Sequence, residues 1–241
     1  MSITIDDSLG LNRVELQAMP IADGPGDIAA IAGGDIASVV SMVGSRHSQG
    51  GHTVANQGVA ILTEPMNRVV VNYDAAGQLV SVTAQAGTTW NILQAVLAPL
   101  GYAPLVQQSS PHFTVGGSIS VNCHGRDPNQ GPLSTCVESL EVFVPGQGPI
   151  TTKAGDALFK AVVGGYGSAG IILTATLRIA PNVPMQQQAS EMSIDAYAAK
   201  LLAMKTTANW PALHYGWLNF SKEGLFETVL SVDCNTVQGK G

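Results

Sequence analysis

Charge is scarce in this chain. Its 241 residues include 11 Lys and Arg against 17 Asp and Glu, so only 12% are charged and the net balance is −6. A chain so poor in cations has no basic stripe with which to neutralise a run of phosphates, which sets nucleic-acid binding aside. Cysteine is equally sparse. Cys123, Cys136 and Cys234 have neither zinc-ligand spacing nor the density of a disulfide scaffold, so a reducing, cytoplasmic location is expected. No apolar run reaches membrane-spanning length, and the first residues are mixed and acidic instead of basic and then apolar, so neither a membrane span nor an export leader is expected. Internal repeats and low-complexity segments are absent. What the chain does have is apolar bulk, 45% of residues, and 27 glycines. That describes a well-packed globule of one large or two smaller domains whose loops can bring backbone close to a ligand.

The most informative loop is Gly44-Ser45-Arg46-His47-Ser48-Gln49-Gly50-Gly51-His52-Thr53. It follows a β-branched apolar run (Val39, Val40, Met42, Val43) that predicts a short buried strand, and a second apolar run begins at Val59. Glycines there allow amide N–H groups to approach a ligand, and the hydroxyls and Arg46 supply hydrogen bonds to anionic oxygens, so the loop suits a phosphate. It is neither a P-loop, since no Gly-Lys-Ser/Thr follows, nor a Rossmann fingerprint.

Along the rest of the chain the pattern is α+β. A turn at Gly24-Pro25-Gly26 leads into a short helix within Ala22 to Ser38, with Asp27 as its cap. Strands are predicted at Val59 to Leu62, Val69 to Tyr73 and Leu79 to Ala86, the last two joined by a hairpin at Asp74-Ala75-Ala76-Gly77. Thr88 or Thr89 caps a helix whose Trp90, Leu93, Val96, Leu97 and Leu100 share one face and which Gly101 stops. Tyr102 to Gly117 reads as a loop. The next stretch, Thr114 to Arg126, is nearly free of bulky side chains, as expected where something large and flat lies against the backbone; a tightly packed helix start is the alternative. A strand at Cys136 to Pro145, its partner at Ile150 to Lys153, a helix at Asp156 to Val163, a glycine-rich turn at 164 to 170 and a strand at Ile171 to Ile179 complete the first part. Two prolines in Ala180-Pro181-Asn182-Val183-Pro184 mark a boundary, giving domains 1–180 and 181–241. The second holds a helix at Ser193 to Met204 and strands at His214 to Phe220 and Leu225 to Val232, too few elements for an independent fold.

Three separated segments together resemble the vanillyl-alcohol oxidase or PCMH-type FAD-binding domain family, the FAD-linked oxidases, over about Asp35 to Ile179. They are the loop around His47, the stretch Ser109-Ser110-Pro111-His112-Phe113-Thr114-Val115-Gly116-Gly117-Ser118 running into His124-Gly125, and the turn before Ile171-Ile172. The resemblance implies a PCMH-type two-subdomain FAD-binding fold followed by the start of a truncated substrate (cap) domain. It assigns cofactor binding to Gly44, Ser45, Arg46, His47, Ser48, Gln49, Ser109, Ser110, His112, Thr114, Gly116, Gly117, Val121, Asn122, Cys123, His124, Gly125, Ile171 and Ile172. His47 matches the family histidine that is bonded covalently to the flavin. Relatives with a second attachment use a cysteine where His112 stands, so one linkage is expected. The cytokinin dehydrogenases carry an aspartate base at about the position of Ser109, which argues against that substrate class and for the sugar-alcohol and aldonolactone oxidases. The implied function is transfer of a hydride from a CH–OH carbon of a small polyol, sugar or aldonolactone to FAD, with oxygen or another acceptor receiving the electrons and the catalytic base unassigned. The alternatives are an FAD-binding module or fragment without turnover, and a metal hydrolase built on His47, His52, His112 and His124, whose spacing lacks any local ligand pattern. His52 and His214 read as surface or packing residues.

Overall fold

The computed structural model describes residues 3–34 and 39–237. Asp35 and Ser38, at the edge of the resemblance and of the first expected helix, lie outside them.

Residues up to 124 together with 132–180 form one compact unit, and residues 125–131 with 181 onward form another. The first opens with strands β1 (Ile3–Ile5) and β2 (Val14–Ala18), helix α1 (Pro25–Ala32), and strands β3 (Val40–Val43) and β4 (Gly58–Leu62). These strands make a sheet ordered β1-β2-β4-β3, in which β3 lies parallel to β4 in the register Val40–Val59 through Val43–Leu62. Gly24, not Asp27, holds the N-cap of α1. Asp27 is at the third helical position and reaches back to accept the Asp23 and Gly24 amides, so it satisfies the helix start from inside the first turn.

Strands β5 (Val69–Tyr73) and β6 (Leu79–Gln85) follow as an antiparallel hairpin, then helix α2 (Trp90–Leu97). Its stripe buries Trp90, Leu93 and Leu97 completely, but the helix tightens into a 3-10 turn at Ala98–Leu100, which carries Leu100 off that face and leaves it 44% exposed. Gly101 closes the turn with φ near +80°. The segment expected to be a loop begins instead with a three-residue strand, β7 (Tyr102–Pro104); its pairing with a later strand supplies what three residues cannot specify alone. The unit continues with α3 (Val115–Ser120), β8 (Val137–Val144), β9 (Gly148–Lys153), α4 (Ala157–Val162) and β10 (Ile171–Pro181). A second sheet runs β5-β6-β10-β8-β9, with β7 beside β10.

The side chains of β10 divide between two core clusters, and a register shift between Ile172 and Thr174 in its pairing with β8 changes which face the odd-numbered residues present. Ile172, Ala175 and Leu177 face the cluster formed with Val82, Leu140, Val142 and the buried side of α2 and α3, whereas Ile171 and Leu173 join Phe143, Ile61, Met66 and Ile28 of α1. Trp90 ties the larger cluster together. Its ring is fully buried and its indole N–H donates to Ser118 Oγ at 3.0 Å, which meets the one polar demand the indole brings inside.

The other unit is a three-stranded antiparallel sheet, β11-β13-β12, built from β11 (Met185–Ser193), β12 (Leu213–Leu218) and β13 (Thr228–Thr236), with α5 (Ile194–Thr207) between the first two. The glutamine-rich β11 gives no apolar alternation. It becomes a strand because all nine residues pair with β13, from Met185–Thr236 to Ser193–Thr228. Ser193 caps α5, its Oγ accepting from the Ala196 amide. The helix meets the sheet through polar groups: Tyr197 Oη contacts His214 Nε2 at 2.9 Å, His214 Nδ1 contacts Asp233 Oδ1 at 2.7 Å, and Lys200 Nζ donates to Asp233 Oδ2 and Ser231 Oγ at 2.6 and 2.8 Å. Burial opposes ionisation of Asp233, but hydrogen bonds from Lys200 and His214 outweigh it and hold the carboxyl below its ordinary range.

Trp90→Ala should destabilise the protein by about 3–5 kcal/mol, through lost packing and an orphaned Ser118 hydroxyl. Urea unfolding followed by far-UV circular dichroism checks this.

Candidate functional site

The loop of residues 44–53 leaves the carboxyl end of β3, at the edge of the parallel pair β3–β4, where α/β sheets place ligands. Gly44 comes so close to α3 that a Cβ there would stand 2.5 Å from Thr114 Oγ1. That same oxygen caps α3 by accepting from the Gly117 amide. Gly116 meets a similar limit, since a Cβ on it would lie 2.7 Å from the Ala86 methyl, while its amide donates to Ala86 O at 2.9 Å. The small residues of the second motif therefore bring three backbones together, and the helix-start reading of that stretch holds for Val115–Ser120.

Arg46 adopts the left-handed conformation, φ near +58°. Among the described residues, the amides of Ser45, Arg46, His47 and Ser48 donate to no protein acceptor. Consecutive free N–H groups about a left-handed residue form a concave donor surface that suits an anion's oxygens. Arg46 adds a fixed positive charge, and among the described residues no Asp or Glu lines the cavity onto which this loop opens.

The loop is held from behind by residues the sequence did not mark. Asp7 Oδ2 accepts the Gly50 amide at 2.9 Å, the Ser8 amide donates to Ser48 O at 2.9 Å, and Gly51 packs where a Cβ would come within 2.6 Å of the Asn12 side chain. The Leu11 amide and the Asn12 side-chain amide also donate to Asp7, and together these bonds hold its carboxyl at about 2. Asp7 is thus a positioning residue: it engages the Gly50 amide on the far side of the loop and leaves the amides of residues 45–48 free.

His47 is exposed, its Nδ1 3.1 Å from Ser45 Oγ and its ring 4.8 Å from that of Phe113. When Nδ1–H donates to Ser45, the lone pair lies on Nε2, which has no protein partner among the described residues.

A cavity of about 690 Å³ opens beside the loop, within the range of roughly 300–1,000 Å³ common for ligand and cofactor sites. Thirteen of the residues singled out from sequence line it: Gly44, Ser45, Arg46, His47, Ser48 and Gln49 from the loop, Thr114, Gly116, Gly117, Val121 and Cys123 from α3 and its end, and Ile171 and Ile172 from β10. Ser109, Ser110, His112, Asn122, His124 and Gly125 do not. The stretch around the first three supports α2, whose Trp90 and Asn91 amides donate to Phe113 O and Pro111 O. Asn122 turns back to accept the Ser134 amide at 3.0 Å, and Gly125 belongs to the other compact unit. His112 and His124 therefore do not share the cavity wall of His47 and His52. Burial pushes the Cys123 thiol up despite a hydrogen bond from Ser118, so this cavity-lining sulfur is a protonated thiol at neutral pH.

The wall also includes residues to which sequence reasoning gave no role: the β3 residues Val40 to Met42, Ser120, His52 and Tyr166. His52 was visible within the loop, but nothing in its neighbours separates a lining histidine from a surface one. Tyr166 stands in a glycine-rich turn whose left-handed backbone, φ near +52°, has no sequence signature when a tyrosine occupies it.

A donor-lined concavity for an anion, continuous with a flat wall of backbone and small side chains, defines a nucleotide-binding domain. Comparison with known proteins agrees: residues 37–152 match the family model described as FAD binding domain. The chain is 31% identical over 150 residues to a D-arabinono-1,4-lactone oxidase of Yarrowia lipolytica, covering 61% of this chain and 28% of that protein. It is 33% identical over 147 residues to cytokinin dehydrogenase 1 of Arabidopsis thaliana (59% and 25%), and 32% identical over 135 residues to a decaprenylphosphoryl-beta-D-ribose oxidase of Mycolicibacterium smegmatis (54% and 29%). The match, over just under half of this chain, places residues 37–152 among the FAD-binding domains of the FAD-linked oxidase family, which implies a PCMH-type FAD-binding fold. The match spans under a third of the length of these relatives. No described helix is long and apolar enough to cross a membrane.

Because the folded Asp7 carboxyl titrates at about 2, below its ordinary 3.8, its hold on Gly50 should be complete above about pH 4 and lost as pH falls through about 2. The Gly50 amide proton shift should report that titration, and Asp7→Ala should abolish it and speed hydrogen exchange at Gly50.

Proposed function

We propose that this protein is an FAD-dependent oxidoreductase that removes a hydride from the CH–OH carbon of a small polyol, sugar or aldonolactone, with its flavin linked through His47. The observation that carries the reading is the cradle of free amides at residues 45–48 around left-handed Arg46, opening on a cavity large enough for a cofactor. The cradle and Arg46 would hold the pyrophosphate, and the side-chain-poor wall at Gly116, Gly117, Val121 and Cys123 would accept a flat ring. The chemistry that FAD supplies when bound is acceptance of a hydride equivalent from the substrate carbon and its passage to oxygen or another acceptor. The chain's own part is orientation. Ser45 holds the His47 ring through Nδ1, Phe113 packs beside it with its ring tilted, and Nε2 is the nitrogen left for a covalent link. The preference for lactone and polyol substrates is supported by the D-arabinono-1,4-lactone oxidases among the relatives and by Ser109 standing where the cytokinin dehydrogenases place an acid. Residues 181–241, with their small sheet, are read as the opening part of a substrate domain.

One observation favours a second reading, an FAD-binding module without turnover: the described cavity wall has no carboxylate, and its histidines, His47 and His52, are the only imidazoles available to accept the substrate hydroxyl proton.

After acid precipitation, flavin absorbance should stay with the wild-type pellet and the flavin mass should map to the peptide holding His47. His47→Ala should bind FAD and release it on denaturation. Release from the wild type would remove the covalent link and leave FAD binding intact, while turnover assays on polyols and aldonolactones separate the enzyme from the module.

A further inference from the structure

Two aromatic pairs flank α3 on the cavity wall. Phe113, beside His47, lies just before its cap, Thr114. Tyr166 lies at its other end, with its amide donating to the carbonyl of Ser120, the last helical residue, at 3.0 Å. The Tyr166 ring meets His52 edge to face, centroids 5.2 Å apart and planes at 83°. An edge-to-face contact engages the rim of one ring and leaves the other faces of the pair open.

Three observations set Tyr166 apart from an ordinary surface tyrosine. Its backbone is left-handed, φ near +52°, a conformation that glycine adopts freely and a tyrosine does not. That conformation is imposed by a firmly bonded turn: Gly164 N donates to Ile119 O at 3.1 Å, Gly165 N to Val162 O at 3.0 Å, and Ser168 Oγ to Gly165 O at 2.6 Å. The side chain so presented is 60% exposed while lining the cavity, so it contributes little to the core. A bulky ring held in a costly conformation without being buried marks a position where the ring itself is used.

We propose that Tyr166, braced by His52, is a stacking platform for a planar heterocycle of the bound dinucleotide. This rests on the FAD reading and extends it to a contact supplied by side chains of this chain. Both flat rings of FAD have the required chemistry, a π face that packs against an aromatic side chain without regard to hydrogen-bonding pattern.

The test pairs ligand affinity with stability in Tyr166→Gly and Tyr166→Phe, each made in the His47→Ala background so that FAD exchanges, with His47→Ala alone as the reference. Glycine relieves the left-handed backbone and removes the ring, so Tyr166→Gly should keep or raise the melting temperature while weakening FAD binding about tenfold. Tyr166→Phe should bind like the reference. Separate titrations with ADP and FMN locate the ring: a loss confined to ADP puts adenine on the platform, one confined to FMN puts the isoalloxazine there, and either supports the proposal. Equal FAD affinity of the reference and Tyr166→Gly overturns the platform and leaves the FAD reading standing. A parallel fall in melting temperature and affinity overturns it too, since Tyr166 would then be structural. A folded wild type that binds no FAD overturns the FAD reading and the platform with it.

Discussion

The contact on which the site depends is the approach of Gly44 to Thr114. The end of β3 and the start of α3 come together where a single added carbon would stand 2.5 Å from the cap oxygen. That oxygen already accepts the Gly117 amide, so it cannot withdraw without uncapping the helix. Gly116 repeats the constraint against Ala86, and Gly87 repeats it more severely, a Cβ there falling 1.7 Å from the Thr63 carbonyl oxygen. Thr63 in turn bonds to Val43 O through its amide and its hydroxyl, at the end of β3. The mixed first sheet, the antiparallel second sheet and α3 thus meet through backbone and the short side chains of Thr63, Ala86 and Thr114, which have little freedom to adjust. The cavity mouth inherits that rigidity, which a site built to hold donors in fixed directions requires.

Rigid support explains how the loop can leave polar groups unpaired. Backbone amides are normally satisfied, and four consecutive ones without partners among the described residues remain tolerable because the loop is open to water. Their directions are set elsewhere, by Asp7 on the Gly50 amide, by Ser8 on the Ser48 carbonyl and by Asn12 beneath Gly51. An anion entering such a cradle exchanges water for donors already in place, so little ordering opposes binding.

Much of this was legible in the sequence, for identifiable reasons. The glycines and hydroxyls of 44–53 and 114–118 have few uses other than close backbone approach, and the β-branched runs at Val69 to Tyr73 and Ile171 to Ile179 form strands in any compact setting. What escaped detection depends on partners distant in sequence. The strand β11 has no apolar alternation and exists through β13, and β7 is too short to specify itself. Asp7 lies in a segment without periodicity, and its role appears only when Gly50, forty-three residues away, folds against it. Ser109, Ser110 and His112 illustrate the reverse case: residues conspicuous for polar chemistry, in a stretch whose neighbouring carbonyls, Pro111 and Phe113, serve the first turn of α2.

The two non-glycine residues with left-handed backbone at the cavity wall, Arg46 and Tyr166, pose a common question: why the chain keeps side chains where glycine would be less strained. At Arg46 the answer is electrostatic, since a glycine would preserve the concave amides but forfeit the one fixed positive charge that the described residues bring to a wall on which they place no carboxylate. At Tyr166 charge gives no answer, and burial gives none either for a ring that is 60% exposed. The hydrogen bonds of the turn hold that strain in the free protein, and a ligand ring against an open aromatic face is the use for the Tyr166 side chain that this cavity provides.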